Sequence, residues 1–144
     1  MVEHSLAELA TAAGHPNAAT LPPALRARLA AEVALFWATP SPSPDTPPPH
    51  STGACIDLTL AHADTGAQAD LGSPIDEMSP RSHPDAMDSE NPAAHALRCK
   101  LRRAMEAQGF VQHPREWWHF GCGDQLSSWV QGLPAARYGR APGQ

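Results

Sequence analysis

Two short stretches of this chain gather side chains that can bind a metal and move a proton. In "EWWHF", Glu116 stands three residues before His119, and in "HSTGACID", His50 stands seven before Asp57. Imidazole nitrogens and carboxylate oxygens are the donors of catalytic zinc centres, which need three protein ligands, an open position for water and a further carboxylate as general base. His50 and His119 supply two imidazoles and Asp57 and Glu116 two carboxylates, enough for such a ligand set and a base, with Gly53 between His50 and Asp57 to let the backbone turn. The HxxxxxxD spacing is short enough for chance to produce, so the spacing by itself leaves ordinary polar side chains as an open alternative. Among the eight histidines, His4, His15 and His62 lie in polar, unpatterned surroundings and read as solvated. His95 falls on a helical pattern and His113 beside Pro114, and neither is expected to have an acidic partner at ligand spacing.

Groups so far apart in the chain need a scaffold to meet. From Ser5 to Ala38 the sequence is rich in Ala and Leu, and Leu25, Leu29, Val33 and Phe36 or Trp37 recur at helical steps after Pro22 and Pro23. "TPSPSPDTPPPH" is too dense in proline for a helix or central strand and reads as an extended connector. In "ACIDLTL" the period changes to two: Ala54, Ile56, Leu58 and Leu60 are expected on a core face, Cys55, Asp57 and Thr59 on the other, and His50 opens this strand. "ADTGA" signals a hairpin turn, and "LGSPIDEMSPRSHPD" a long surface loop. "NPAAHALRCKLRRAMEAQG" predicts a helix starting at Asn91 and Pro92, with Leu97, Leu101 and Met105 on one stripe and a stop at Gly109. "FVQH" and "EWWHFGC" follow as two short strands.

The predicted class is therefore α+β, a small antiparallel sheet packed with helices. Residues 1–38 form a helical segment of the same domain, 39–49 the connector, 50–138 the core and 139–144 a tail. In a regular strand residues three apart face opposite ways, so Glu116 and His119 can serve one metal only if the strand is irregular or Glu116 lies at its start. Trp117 and Trp118 then wall the site, one on each face, or are plain core aromatics.

Composition excludes several function classes. A net charge of -5 and a pI near 5.8 offer no basic field for nucleic acid. No stretch approaches the roughly 20 apolar residues of a membrane span, and the first residues lack the basic and apolar regions of a signal peptide. Cys55, Cys99 and Cys122 have no CxxC spacing and read as free thiols of a reducing compartment, so the cytoplasm is the expected location, with the periplasm possible if the true N-terminus lies upstream.

"HSTGACIDLTL", "LGSPIDEMSPRSH" and "EWWHFGCGDQL", in that order, resemble the D-alanyl-D-alanine dipeptidases, the zinc peptidase family that includes the vancomycin-resistance dipeptidases. The likeness runs from about His50 to Tyr138. It implies one zinc per chain, held by His50, Asp57 and His119, with Glu116 as catalytic base and Asp76, in "PIDEMS", receiving the free amino group of a small D-dipeptide. The activity it implies is hydrolysis of D-alanyl-D-alanine, or a similar dipeptide, to free D-alanine in cell-wall precursor metabolism. Three departures stand out. Cys55 replaces a common alanine, and Pro48 stands where many relatives have serine. The family's upstream Tyr-Arg-Pro segment, whose arginine steadies the anionic intermediate, has no counterpart, though Arg26 or Arg28 is available to substitute. The chain thus reads as a family member without its N-terminal part. The alternatives are a catalytically weak or inactive zinc-binding remnant, or a related zinc peptidase acting on larger cell-wall peptides.

Overall fold

The computed structural model describes residues 2–34, 41 and 43–141; the expectation for Phe36 or Trp37 lies outside them. Contacts divide the chain into two compact units, Met1–Pro40 and Ser41–Gln144.

The first unit is a helical pair, α1 (Val2–Ala12) and α2 (Pro23–Ala34). Pro23 is the first residue of α2, where its missing N–H costs nothing and its fixed φ already suits the helix. Leu29 and Val33 of α2 are buried with Leu6 and Ala10 of α1 and with Leu21. Arg26 donates to the Ala18 carbonyl at 3.0 Å, and Arg28 faces Glu32 at 3.7 Å one helical turn on.

The second unit is α+β, as expected. Its sheet has three strands, β1 (Cys55–Asp57), β2 (Val111–Gln112) and β3 (His119–Gly121), ordered β1-β3-β2 and antiparallel throughout. The long helix α3 (Pro92–Glu106) begins where its sequence says it should: the Asn91 side chain accepts from Ala94 N at 3.1 Å, and Pro92 occupies the first turn. Gly109, at φ 85, ends the turn beyond it. From α3, Leu101 is buried with Ala69, Leu71, Trp117, Trp118 and Phe120, and Leu97 and Met105 pack against the same cluster. A short helix α4 (Gln125–Val130), which the sequence reading did not contain, is capped by Asp124, whose side chain accepts from Ser127 N at 3.0 Å.

The strand expected over residues 54–60 is shorter than its pattern. Only Cys55–Asp57 pairs with β3, and His50 lies instead in a 3-10 turn, Pro49–Thr52. Pro48 and Pro49 favour that turn, and Gly53 leaves it at φ 69, a left-handed conformation that suits glycine. Ile56, expected on the core face, is 47% exposed, because β1 is an edge strand and the cluster is centred on Phe120 of β3. Beyond β1 the chain still turns back on itself: Ala61 bridges Gln68, and Ala69 N donates to Leu60 O at 2.9 Å. None of the helices among the described residues is long and apolar enough to cross a membrane.

Candidate metal centre

The site is built on the closest kind of strand pairing. Asp57 and His119 are direct partners across β1 and β3. Leu58 N donates to Trp118 O at 3.1 Å, just outside the pair. That bond makes Asp57 and His119 a non-hydrogen-bonded pair, the type in which facing side chains approach most closely. His50 arrives from the 3-10 turn before β1, 69 residues from His119 in sequence, and sets its Nε2 3.1 Å from His119 Nδ1. Asp57 completes the group, with Oδ2 3.3 Å from His50 Nε2 and Oδ1 3.0 Å from His119 Nδ1. Donor atoms of the three residues all lie within 4.8 Å of one another, and the group could hold a metal ion.

Two observations bear on whether a metal fits. Ligands of a tetrahedral ion bound at about 2.0–2.2 Å are about 3.3–3.5 Å apart, close to the spacings of this trio. Moreover, Asp57 Oδ1 is buried and makes no hydrogen bond, although His119 Nδ1 is 3.0 Å away. A buried carboxylate oxygen is expensive without a partner, and a cation shared with the two imidazoles would supply one. The donor set of two imidazoles and one carboxylate, with an open side, suits a catalytic divalent ion.

Glu116 lies in the turn between β2 and β3, three residues before β3 begins at His119, so a turn, rather than a strand irregularity or a strand start, brings it to the His119 side chain. Its Oε2 is 3.6 Å from His119 Nδ1 and 3.7 Å from His113 Nδ1, beside the trio without belonging to it. Burial raises its pKa, with the neighbouring Asp57 and Asp76 carboxylates adding to the rise and His119 opposing it. Burial works against a charged His119, but the Asp57 and Glu116 carboxylates outweigh it and hold the imidazole above its ordinary range. Asp76 is exposed and takes φ 66, the left-handed region, where few non-glycine residues sit. Desolvation raises its pKa, Asp57 raises it further and His50 lowers it, so its carboxyl is within electrostatic reach of the trio.

Two of the histidines set aside in the sequence do have acidic neighbours. His113 lies near Glu116, because the turn at Pro114 and Arg115 folds back, and its backbone N donates to His119 O at 2.9 Å. Its pKa is pushed down to about 4, chiefly by burial and then by His119 and Arg115, so it is neutral at pH 7 and the pair is not ionic. His95 Nε2 is 3.8 Å from Asp88 Oδ1 and 3.3 Å from Cys99 Sγ.

Sequence reasoning missed Asp124 and Arg98, and it named Cys55 only as a free thiol and a departure from the family pattern. Asp124, buried beneath β3, lies so close to the strand that a Cβ on Gly121 would come within 2.5 Å of its Oδ1. Cys55, two residues before Asp57 on the same face of β1, has its thiol pushed far up by burial and by Asp124, which makes it an inert packing group. Arg98 is 1% exposed and donates to four oxygens. Its signal was available: Arg98 falls on the same stripe of α3 as Ala94, Leu101 and Met105, where a cation is out of place. Burial lowers its pKa to about 10, with Glu77 opposing, so it stays charged at pH 7.

Trp117 and Trp118 are 0% and 3% exposed and meet edge to face, with ring centroids 5.4 Å apart. Both belong to the core cluster with Phe120, so the pentapeptide combines core anchors with the site residues between which they lie. Burying each ring contributes on the order of 2–3 kcal/mol to holding Glu116 and His119 in place.

A family profile described as D-ala-D-ala dipeptidase (Peptidase_M15) matches residues 9–137. The D-alanyl-D-alanine dipeptidase of Synechocystis sp. is 40% identical over 139 residues, covering 90% of this chain and 56% of its own length. Those of Enterococcus faecalis and Streptomyces coelicolor are each 48% identical over 71 residues, covering 49% of this chain and 35% of their own. The second unit is a small α+β fold that carries a His-Asp-His group able to hold a metal ion. The chain belongs to the D-ala-D-ala dipeptidase family. It spans about half the length, or less, of the relatives it matches.

Proposed function

We propose that this chain is a zinc dipeptidase that hydrolyses D-alanyl-D-alanine, or a similar small D-dipeptide, to free D-alanine. The observation that carries the reading is the convergence of His50, Asp57 and His119, whose donors approach to 3.0–3.3 Å, with Glu116 Oε2 beside them 3.6 Å from His119 Nδ1. The names of the relatives supply the substrate.

His50 Nε2, His119 Nδ1 and an oxygen of Asp57 would hold one zinc ion. Zinc supplies Lewis acidity, acidifying a water molecule and polarising the scissile carbonyl. The chain's own residues do the rest. Glu116, whose pKa is raised by burial, takes the proton of the attacking water at Oε2 and returns it to the leaving amine. Asp76 receives the ammonium group of the substrate and fixes its register against Glu116. His113, neutral at pH 7, leaves the Glu116 carboxylate free of a competing cation. The buried Trp117 and Trp118 keep the turn that presents Glu116 rigid. Three free cysteines suit a reducing compartment, and we place the activity in the cytoplasm.

The test joins metal to turnover. Protein purified without chelator should carry about one zinc per chain and release D-alanine from the dipeptide, and His119→Ala should lose both. Equal zinc in the wild type and His119→Ala would remove the assignment.

A further inference from the structure

Arg98 is a buried charged side chain that the proposed chemistry leaves unused. A buried cation is costly unless its donors are met. Here they are met by neutral oxygens: Nε donates to Leu71 O at 2.7 Å, Nη1 to Arg81 O at 2.9 Å and His83 O at 2.8 Å, and Nη2 to Ser73 Oγ at 3.1 Å. Leu71 and Ser73 enter the loop over residues 71–83, and Arg81 and His83 leave it. One guanidinium therefore ties both limbs of the loop together, with Asp76 between them. Asp76 holds φ 66, a backbone state that a non-glycine residue keeps only where its surroundings enforce it.

The same side chain also fixes the loop to the segment that carries the proposed base. The Arg98 guanidinium lies 5.2 Å over the Trp117 ring. Trp117 Nε1 donates to Ser73 Oγ at 2.9 Å, and Trp117 N donates to Ser82 O at 2.9 Å. Trp117 directly follows Glu116, so Arg98, Ser73 and Trp117 form a short bridge between the Asp76 loop and the Glu116 turn. At 1% exposure Arg98 cannot itself touch a substrate. Its planar fork reaches several oxygens at fixed angles, which a lysine ammonium on a flexible stem does not.

We propose that Arg98 is a positioning residue that sets the separation between the Asp76 carboxylate and the Glu116–His119 segment, and through it the preference for substrates whose free amino group lies one residue from the scissile bond. The inference rests on the reading of Asp76 as the ammonium acceptor. Displacing a binding group by about 1 Å is enough to cost up to ~100-fold in rate, so a slack loop should be read first in substrate affinity.

The experiment compares Arg98→Met, Arg98→Lys, Ser73→Ala and Asp76→Asn in the zinc-loaded chain, together with Asp76→Asn combined with each of the others. Zinc content should stay near one per chain in all of them. For D-alanyl-D-alanine, KM should rise about tenfold in both Arg98 variants and about threefold in Ser73→Ala, with kcat within about threefold. In the Asp76→Asn background the further changes should vanish, because residues acting through one another are not additive. Hydrogen exchange should quicken about tenfold at amides 71–83 and stay unchanged in β1 and β3. Should Arg98→Met fail to fold, Arg98→Lys and Ser73→Ala carry the same comparison. A raised KM in Asp76→Asn with an unchanged KM in the Arg98 and Ser73 variants, or with additive effects, overturns the inference alone. An unchanged KM in Asp76→Asn overturns the ammonium reading, and the inference with it.

Discussion

Replacing Glu116 by glutamine separates a base from a ligand. The substitution keeps the size and shape of the side chain and removes only its charge and proton affinity. Glu116 Oε2 is 3.6 Å from His119 Nδ1 and stands outside the His50, Asp57 and His119 group that could hold the ion. Removing one negative charge beside a dication, without removing a ligand, weakens binding only through Coulomb attraction, which water reaching the open side of the site screens. Removing a ligand deletes a bond to the metal: structural zinc sites bind with about 10–16 kcal/mol from four ligands, which is roughly 2.5–4 kcal/mol each, or a factor of ~10² to 10³. Glu116→Gln should therefore keep zinc at micromolar metal, while turnover falls by ~10² to 10⁴, the usual contribution of a general base. The assay is a zinc titration against a chromogenic chelator, run beside D-alanine release, on the wild type, Glu116→Gln and His119→Ala. Zinc loss in Glu116→Gln as large as in His119→Ala would make Glu116 a ligand, and unimpaired turnover would remove it as the base.

Other expectations follow from the packing and the titrations. His113 has a folded-state pKa of about 4 against an ordinary 6.5, so the unfolded chain binds more protons between those values and stability rises with pH across that window. In the metal-free protein this contribution, up to about 3 kcal/mol, should be fully present above pH 6.5 and lost as pH falls toward 4. His113→Gln should flatten that part of the denaturation-midpoint profile, and a profile identical to the wild type would refute it. Gly121→Ala would set a Cβ 2.5 Å from Asp124 Oδ1 and push the cap of α4 aside. Chemical denaturation should show a loss of about 1–3 kcal/mol, and a change below about 0.5 kcal/mol would show that the cap moves freely.

What the sequence determined by itself are the features set by nearby residues. Asn91, Pro92 and Gly109 mark the ends of α3 through a side-chain cap, a fixed φ and a left-handed turn, each a matter of one or two residues. The same holds for α2, which begins at Pro23 because a fixed φ suits a helix start. The types of the five candidate site residues, read with the family likeness, were also legible. Other features needed the tertiary structure, because they depend on what the rest of the chain brings alongside. "ACIDLTL" alternates over seven residues, yet only three pair, and Ile56 stays exposed because β1 has a neighbour on one side alone. His50 meets His119 across 69 residues through the pairing of β1 with β3, which no local spacing encodes. Arg98 stands out on the apolar stripe of α3, but only the loop over residues 71–83, whose carbonyls take the place of water, shows how its charge is met. Burial is a property of the surface that arrives, and that surface comes from distant parts of the chain.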